Sequence, residues 1–235
     1  MQNLSIVLST FNEEQNIAIT INKLLTKECV KEIIIIDDDS KDRTIEILNT
    51  FNNPKINFKI RKNIKNFSTA FIDGLNLVKG DYILRFDLDM YNYIDYFIEN
   101  FNKMNLQTDC LIFSRYVNNG KDERSKYRSL PSFLLNKACQ LFLYKEIKDY
   151  TSCVIILKKN VLKDVFPKKT NYANFIIDFI FDLKRKNKNI KEIPFIQDKN
   201  TEYNSKSAPN LFKFIINGSF YLISILRCIY IKNLN

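Results

Sequence analysis

The chain has 235 residues, 46% hydrophobic and 26% charged, with a formal net charge of +10; a chain of this size buries roughly three-quarters of its unfolded surface and needs no disulfides to hold a core. It contains no histidine, which excludes Ser-His-Asp and Cys-His nucleophilic catalysis, histidine zinc sites and a histidine general base. The basic excess reads either as a solvated Lys-rich surface or as the complement of an anionic partner: a nucleotide, a lipid phosphate or an anionic membrane.

In chain order, Leu4 to Leu8 is an apolar strand. Asn12 is expected to cap a helix whose first turn carries Glu13 and Glu14 and whose buried face holds Ile17, Ile21, Leu24 and Leu25. Ile33 to Ile36 is an unbroken β-branched run, the mark of a central parallel strand. Asp39 or Ser40 is expected to cap the next helix, which ends near Phe51, and Ile56 to Ile60 forms a further strand. Phe67 to Val78 follows a helical period. Asp81 to Phe86 is the next strand and ends in Asp87-Leu88-Asp89. This β-α-β-α-β-α-β series predicts an α/β domain with a mostly parallel sheet and helices on both faces. Ligands of such sheets bind at the carboxyl ends of the strands, where Thr10 to Glu13, Asp37 to Asp39 and Asp87 to Asp89 all fall.

The second half is less regular. Cys110 to Ser114, Cys153 to Leu157 and Ile190 to Ile196 read as strands, and Arg128 to Tyr144 and Tyr172 to Lys186 as helices. Polar loops occupy Asn118 to Tyr127 and Thr201 to Pro209. Residues 1–208 are expected to form one domain and residues 209–235 an apolar C-terminal helix. On a wheel of about 100° per residue, Lys213, Asn217, Ser224 and Arg227 form one polar stripe on that helix. The pattern suits a helix lying in a membrane interface, a helix that closes the core, or a contact with a second protein carrying spanning helices. The five cysteines, Cys29, Cys110, Cys139, Cys153 and Cys228, include no C-x-x-C pair. With no export signal before the first strand, they read as reduced core thiols of a cytoplasmic protein. No zinc-finger, RNP-like or helix-turn-helix signature points to nucleic acid.

Three motifs carry chemistry. Two carboxylates at i and i+2 on a strand end, Asp87 and Asp89, can converge on one divalent cation, and oxygen ligands select Mg²⁺ or Mn²⁺. Such a D-x-D is by itself commonly a solvated loop; its place beside two other polar clusters is what marks it. The run Asp37-Asp38-Asp39 would repel itself without partners, and the donors of a base or ribose would satisfy it, with Asp37 or Asp38 facing the ligand and the others capping. Arg115 ends a strand, while Arg128 and Ser132 lie one helical turn apart, a spacing suited to an anion.

These motifs together resemble the inverting family 2 glycosyltransferases of GT-A fold, within them the polyprenyl- or dolichyl-phosphate sugar synthases, over nearly the whole chain. Ser9-Thr10-Phe11-Asn12-Glu13 resembles P-T-Y-N-E. Asp37 to Thr44 resembles D-D-x-S-x-D-x-T, and Thr69 to Leu75 with Gly80-Asp81 resembles T-A-x-x-x-G-L and G-D. Asp87-Leu88-Asp89 matches D-x-D, Ser114-Arg115-Tyr116 matches S-R-Y, and Asp149 to Ser152 resembles D-x-T-S-G. Glu192-Ile193-Pro194 and Ser205-Lys206 match E-I-P and a terminal S-K. The departures are Ser9 for proline, Asn66-Phe67-Ser68 for a Gly-rich stretch, Tyr91 for a metal-binding glutamine, Cys153 for glycine, and Asn200, beside Lys199, for arginine.

The resemblance implies a nucleotide-sugar donor, UDP- or GDP-linked, with Thr10, Phe11, Glu13, Asp37 and Asp38 around the nucleoside. Asp87 and Asp89 would hold Mg²⁺ or Mn²⁺ and the diphosphate. Arg115, Arg128, Ser132 and Lys206 would bind the acceptor phosphate or the diphosphate, at the cytoplasmic face of a membrane. A phosphate acceptor is already anionic and needs no general base; a glycan or protein hydroxyl would need one, for which Asp149 is a candidate. A non-catalytic nucleotide-sugar-binding module is the remaining reading.

Overall fold

The computed structural model describes residues 3–199 and 211–234. The first half is β1 (Leu4–Thr10), α1 (Ile17–Leu25), β2 (Val30–Asp37), α2 (Thr44–Thr50), β3 (Ile56–Ile60), α3 (Phe67–Leu75) and β4 (Tyr82–Arg85). A 3₁₀ turn over Leu88–Tyr93 leads to α4 (Ile94–Asn102), β5 (Cys110–Ser114), β6 (Lys121–Asp122), α5 (Lys126–Phe142) and β7 (Ile155–Lys158). Then come α6 (Phe175–Arg185), β8 (Ile190–Pro194), β9 (Ile196–Gln197) and α7 (Leu211–Asn233). Seven strands make one sheet in the order β3-β2-β1-β4-β7-β5-β8, and β6 pairs with β9 separately.

Strands β1 to β4 are parallel to one another, as are β5 and β8, while β7 runs antiparallel to both its neighbours. That reversal brings the residues preceding β7, Thr151 to Cys153, to the same edge as the carboxyl ends of β1, β2 and β4. The strand pleat sends alternate side chains to opposite faces. Ile34 and Ile36 join a core with Phe71 of α3 and Phe175 and Phe179 of α6. Ile33 and Ile35 join a second core with Ile17 and Ile21 of α1 and Phe97 of α4. Helix α3 lies so close to β1 that a Cβ on Gly74 would stand 2.5 Å from Val7 Cγ1.

Neither expected helix cap forms. Asn12 has a positive φ of 55°. Its side chain accepts from the Lys41 amide at 2.7 Å, and its own amide donates to Ser40 Oγ at 2.8 Å. It therefore ties the β1–α1 loop to the β2–α2 loop, and α1 starts later, after Asn16. Asp39, also at positive φ, pairs with Lys41. Ser40 donates to Asp37, and it is Asp42 that receives the Thr44 amide at the start of α2. Contacts between loops outweigh local capping here.

Asn217, Ser224 and Arg227 of the α7 polar stripe turn inward. Ser224 Oγ donates to Asp178 Oδ2 of α6 at 2.6 Å, and Arg227 donates to both Asp178 oxygens at 2.8 and 2.6 Å. Asn174 Nδ2 donates to Ser224 Oγ at 2.8 Å. Asp178 and Ser224 are buried. The apolar side of the helix is left outside, with Ile215, Leu222, Ile223, Leu226 and Tyr230 each more than half exposed. Leu130, Leu134, Leu141 and Phe142 of the neighbouring α5 are exposed to a similar degree. Ile215–Asn233 is long and apolar enough to cross a membrane by length and composition.

Candidate functional site

A cleft of about 670 Å³ opens at the carboxyl edge of β1, β2 and β4. Eight of the residues singled out in the sequence line it: Thr10, Phe11, Glu13, Asp38, Asp87, Asp89, Arg115 and Arg128. Asp37 and Ser132 are not among its lining residues. Asp37 is wholly buried; Oδ2 accepts from Thr10 Oγ1 at 2.7 Å and from Ser40 Oγ at 2.6 Å, and Oδ1 accepts the Ser40 amide at 2.8 Å. It clamps the loop that presents its neighbour, and of the two acids it is Asp38 that lines the cleft. Ser132 Oγ stands 3.2 Å from Oγ1 of Thr151, which does line the cleft. Lys206 lies outside the described residues.

Asp38 is held by a partner that sequence reading missed. Arg61, just past β3, is buried and donates Nε to Asp38 Oδ1 at 2.7 Å. Its other nitrogens reach Thr69 Oγ1 at 2.8 Å, Asp73 Oδ2 at 3.2 Å and the Asn66 carbonyl at 2.9 Å. The Asn66 amide completes the set on Asp38 Oδ2 at 2.9 Å. Burial raises the Asp38 carboxyl above its ordinary value, against the pull of Arg61. Lys65 caps this end of the cleft, 4.2 Å from the centre of the Phe11 ring, a cation–π contact.

Asp87 and Asp89 form the acidic centre. Asp87 is partly exposed and takes one hydrogen bond, from Arg85 to Oδ1. Asp89 Oδ1 is buried with no hydrogen-bond partner among the described residues. Burial first, then Asp87 and Glu13, push the Asp89 carboxyl up to about 8. An orphaned buried carboxylate oxygen beside a second carboxylate is an arrangement a cation would satisfy. Among the described residues no three acidic or thiol side chains converge as a ready-made metal site. Two carboxylates are nevertheless how Mg²⁺ is commonly bound, with waters and substrate phosphates completing its shell. The residues therefore fit a hard divalent ion that arrives with a diphosphate.

The cleft also has a basic lining. Arg124 and Arg128 line it beside Arg115; Arg124 is held by Asp122 through contacts of 2.8 and 2.7 Å. Arg115 is a hub. Nε and Nη2 grip both oxygens of Asp149 at 2.9 Å, and Nη2 also reaches Thr151 Oγ1 at 2.7 Å. Asp149 is wholly buried and also receives the Arg115 and Thr151 amides. With both oxygens engaged and no exposure, it is not poised as a general base, contrary to the sequence expectation. Glu192 supports this hub from β8 by accepting the Lys148 and Asp149 amides at 2.7 and 2.9 Å, which gives the E-I-P motif a structural role. Tyr172, Asn217, Phe220 and Tyr221 build the remaining wall, so α7 is part of the cleft.

The glycosyl transferase family 2 sequence model matches residues 5–166. The dolichol-phosphate mannosyltransferase of Pyrococcus furiosus is 29% identical over 199 residues, covering 82% of this chain and 55% of that protein. The poly(ribitol-phosphate) beta-N-acetylglucosaminyltransferase TarP of Staphylococcus aureus is 27% identical over 199 residues, covering 78% of this chain and 59% of that protein. The chain thus spans little more than half the length of these curated relatives. Among solved structures, glucosyl-3-phosphoglycerate synthase from Mycobacterium tuberculosis with bound UDP superposes at a TM-score of 0.71 and 14% identity, over 97% of this chain and 80% of that one. At that identity the likeness is one of fold, and it bears out the expected GT-A plan. Other complexes of the same protein hold UDP with Mn²⁺ or with Mg²⁺.

Proposed function

Because this chain belongs to glycosyl transferase family 2, we propose that it transfers a sugar, with inversion, from a nucleoside diphosphate sugar to a polyprenyl or dolichyl phosphate. The observation that carries the reading is the Asp87/Asp89 pair, with its orphaned buried oxygen, lining one cleft together with Arg115, Arg124 and Arg128. Thr10, Phe11, Glu13 and Asp38 would receive the nucleoside. Asp87 and Asp89 would hold Mg²⁺ or Mn²⁺, which supplies charge neutralisation to the departing diphosphate. Arg124 and Arg128 would bind and orient the acceptor phosphate, with Lys206 as a further candidate. An acceptor phosphate oxygen forms the bond to the anomeric carbon as the bond from that carbon to the nucleoside diphosphate breaks. The acceptor oxygen carries no proton, so no base is required, and Asp149 stays committed to Arg115.

The outward apolar faces of α7 and α5, with the net charge of +10, support work at an anionic membrane surface, where a lipid acceptor would be found. The test is transfer of labelled sugar from a panel of UDP- and GDP-sugars into polyprenyl phosphate, with Mg²⁺ or Mn²⁺ and with a chelator. Label extracted into organic solvent only when the ion is present is the expected result. Donor binding without organic-phase label, but with label on a soluble glycan, would overturn the acceptor assignment.

A further inference from the structure

Arg85 has no place in the motifs, yet it is among the most buried charges of the chain, 2% exposed at the end of β4. A charge so placed persists only where fixed partners compensate its lost hydration. Three groups surround its guanidinium. The Cys153 carbonyl accepts from Nη1 at 2.6 Å, Asp87 Oδ1 accepts from Nη2, and the Phe67 ring centre lies 4.4 Å from the guanidinium carbon. Its Nε is buried without a partner among the described residues, as is Asp89 Oδ1. An arginine keeps its charge at any working pH. The acidic centre is therefore built around a permanent internal cation.

We infer that Arg85 is a positioning residue that fixes Asp87 and withholds the acidic pair from free divalent ions, so that the ion binds well only together with the donor diphosphate. The inference rests on the reading of Asp87 and Asp89 as the ion's ligands. The guanidinium ties Oδ1 of Asp87, a residue that lines the cleft, and offsets one negative charge beside Asp89. A free ion then meets one net negative charge fewer than the carboxylates would present alone. An ion carried by a diphosphate adds the phosphate oxygens as ligands and their charge as a counterweight, so donor and ion bind cooperatively.

The test titrates Mn²⁺ into the donor-free protein and follows the free ion by electron paramagnetic resonance, with and without UDP. Arg85→Gln keeps hydrogen-bond donors but removes the charge; Arg85→Lys keeps the charge. In Arg85→Gln, Mn²⁺ affinity without UDP, measured at about pH 8.5 so that proton competition at Asp89 does not mask it, should rise by about tenfold, the order expected when one nearby charge is removed from a partly hydrated site. The gain that UDP confers should shrink in parallel. Arg85→Lys should stay within about twofold of the parent on the same scale. A purely structural arginine would leave Mn²⁺ affinity unchanged or weaker in both variants, and that result overturns the inference, as does an equal rise in both. Asp89→Asn separates the two levels: if it binds Mn²⁺ as the parent does, the ligand assignment has failed and the inference falls with it; if it binds more weakly while Arg85→Gln shows no rise, only the role of Arg85 has failed.

Discussion

Lowering the pH from 8 to 6 should weaken Mn²⁺ binding to the donor-free protein by about fifty-fold, because a proton and the ion compete for Asp89. The carboxyl titrates near 8, chiefly because it is buried and faces Asp87 and Glu13. At pH 7 it is therefore about 90% protonated, and ion binding releases about 0.9 of a proton. Calorimetry in two buffers of different ionisation enthalpy reads that proton directly. Affinity should climb by close to tenfold per unit between pH 6 and 7 and flatten above about 8.5. The same shift fixes the sign for stability. The folded value lies above the ordinary 3.8, so the stability contributed by the protonated form is present below that ordinary value. It is lost as the pH rises through about 8. Mn²⁺ should accordingly raise the melting temperature more at pH 8.5 than at pH 6. A flat affinity between pH 6 and 8, with no proton released, would refute the reasoning and show that Asp89 is already ionised.

Gly74→Ala should cost about 1–3 kcal/mol through overpacking against Val7, read as a lower thermal midpoint; an unchanged midpoint would mean that α3 moves off β1 freely. Asp178→Ala strands Arg227 and Ser224 and should cost about 2–4 kcal/mol, since the partly exposed arginine regains some water. Hydrogen exchange should quicken along α7 and not in β1 or β2, and uniform quickening would deny Asp178 a local role. Ile223→Glu with Leu226→Glu places two charges on the outer face of α7 and should abolish flotation with anionic vesicles at low salt while leaving the far-ultraviolet spectrum intact. Persistent flotation would move the contact surface elsewhere.

The first four strands and their edge were legible because Ile33 to Ile36 is an apolar run and Tyr82 to Phe86 one broken only by Arg85, both stop at acids, and such runs have few other homes. The direction of β7 was not, since an apolar run carries no arrow. The caps failed because Asn12 and Ser40 bond to each other across loops that only the folded sheet brings near, while Asp39 turns to Lys41 in its own loop. Asp38 was found but Arg61, its holder 23 residues on, was not, because pairs across strands leave no periodic trace. A signal for Arg85 did exist: a lone charge within Tyr82-Ile83-Leu84-Arg85-Phe86, in a strand destined for the sheet centre, demands a buried partner. The wheel of α7 separated its two faces correctly but could not say which one meets the domain; Asp178, on another helix, decides that.

The inward stripe of α7 has a thermodynamic consequence. The same helix that contributes Asn217 and Tyr221 to the cleft wall presents Leu222 and Leu226 to the outside. Any surface that grips the outer side and shifts the helix also reshapes the wall, and reciprocity then requires that a molecule held in the cleft alter the grip by the same factor. Filling the cleft would in that way tune how long the protein dwells on whatever α7 touches.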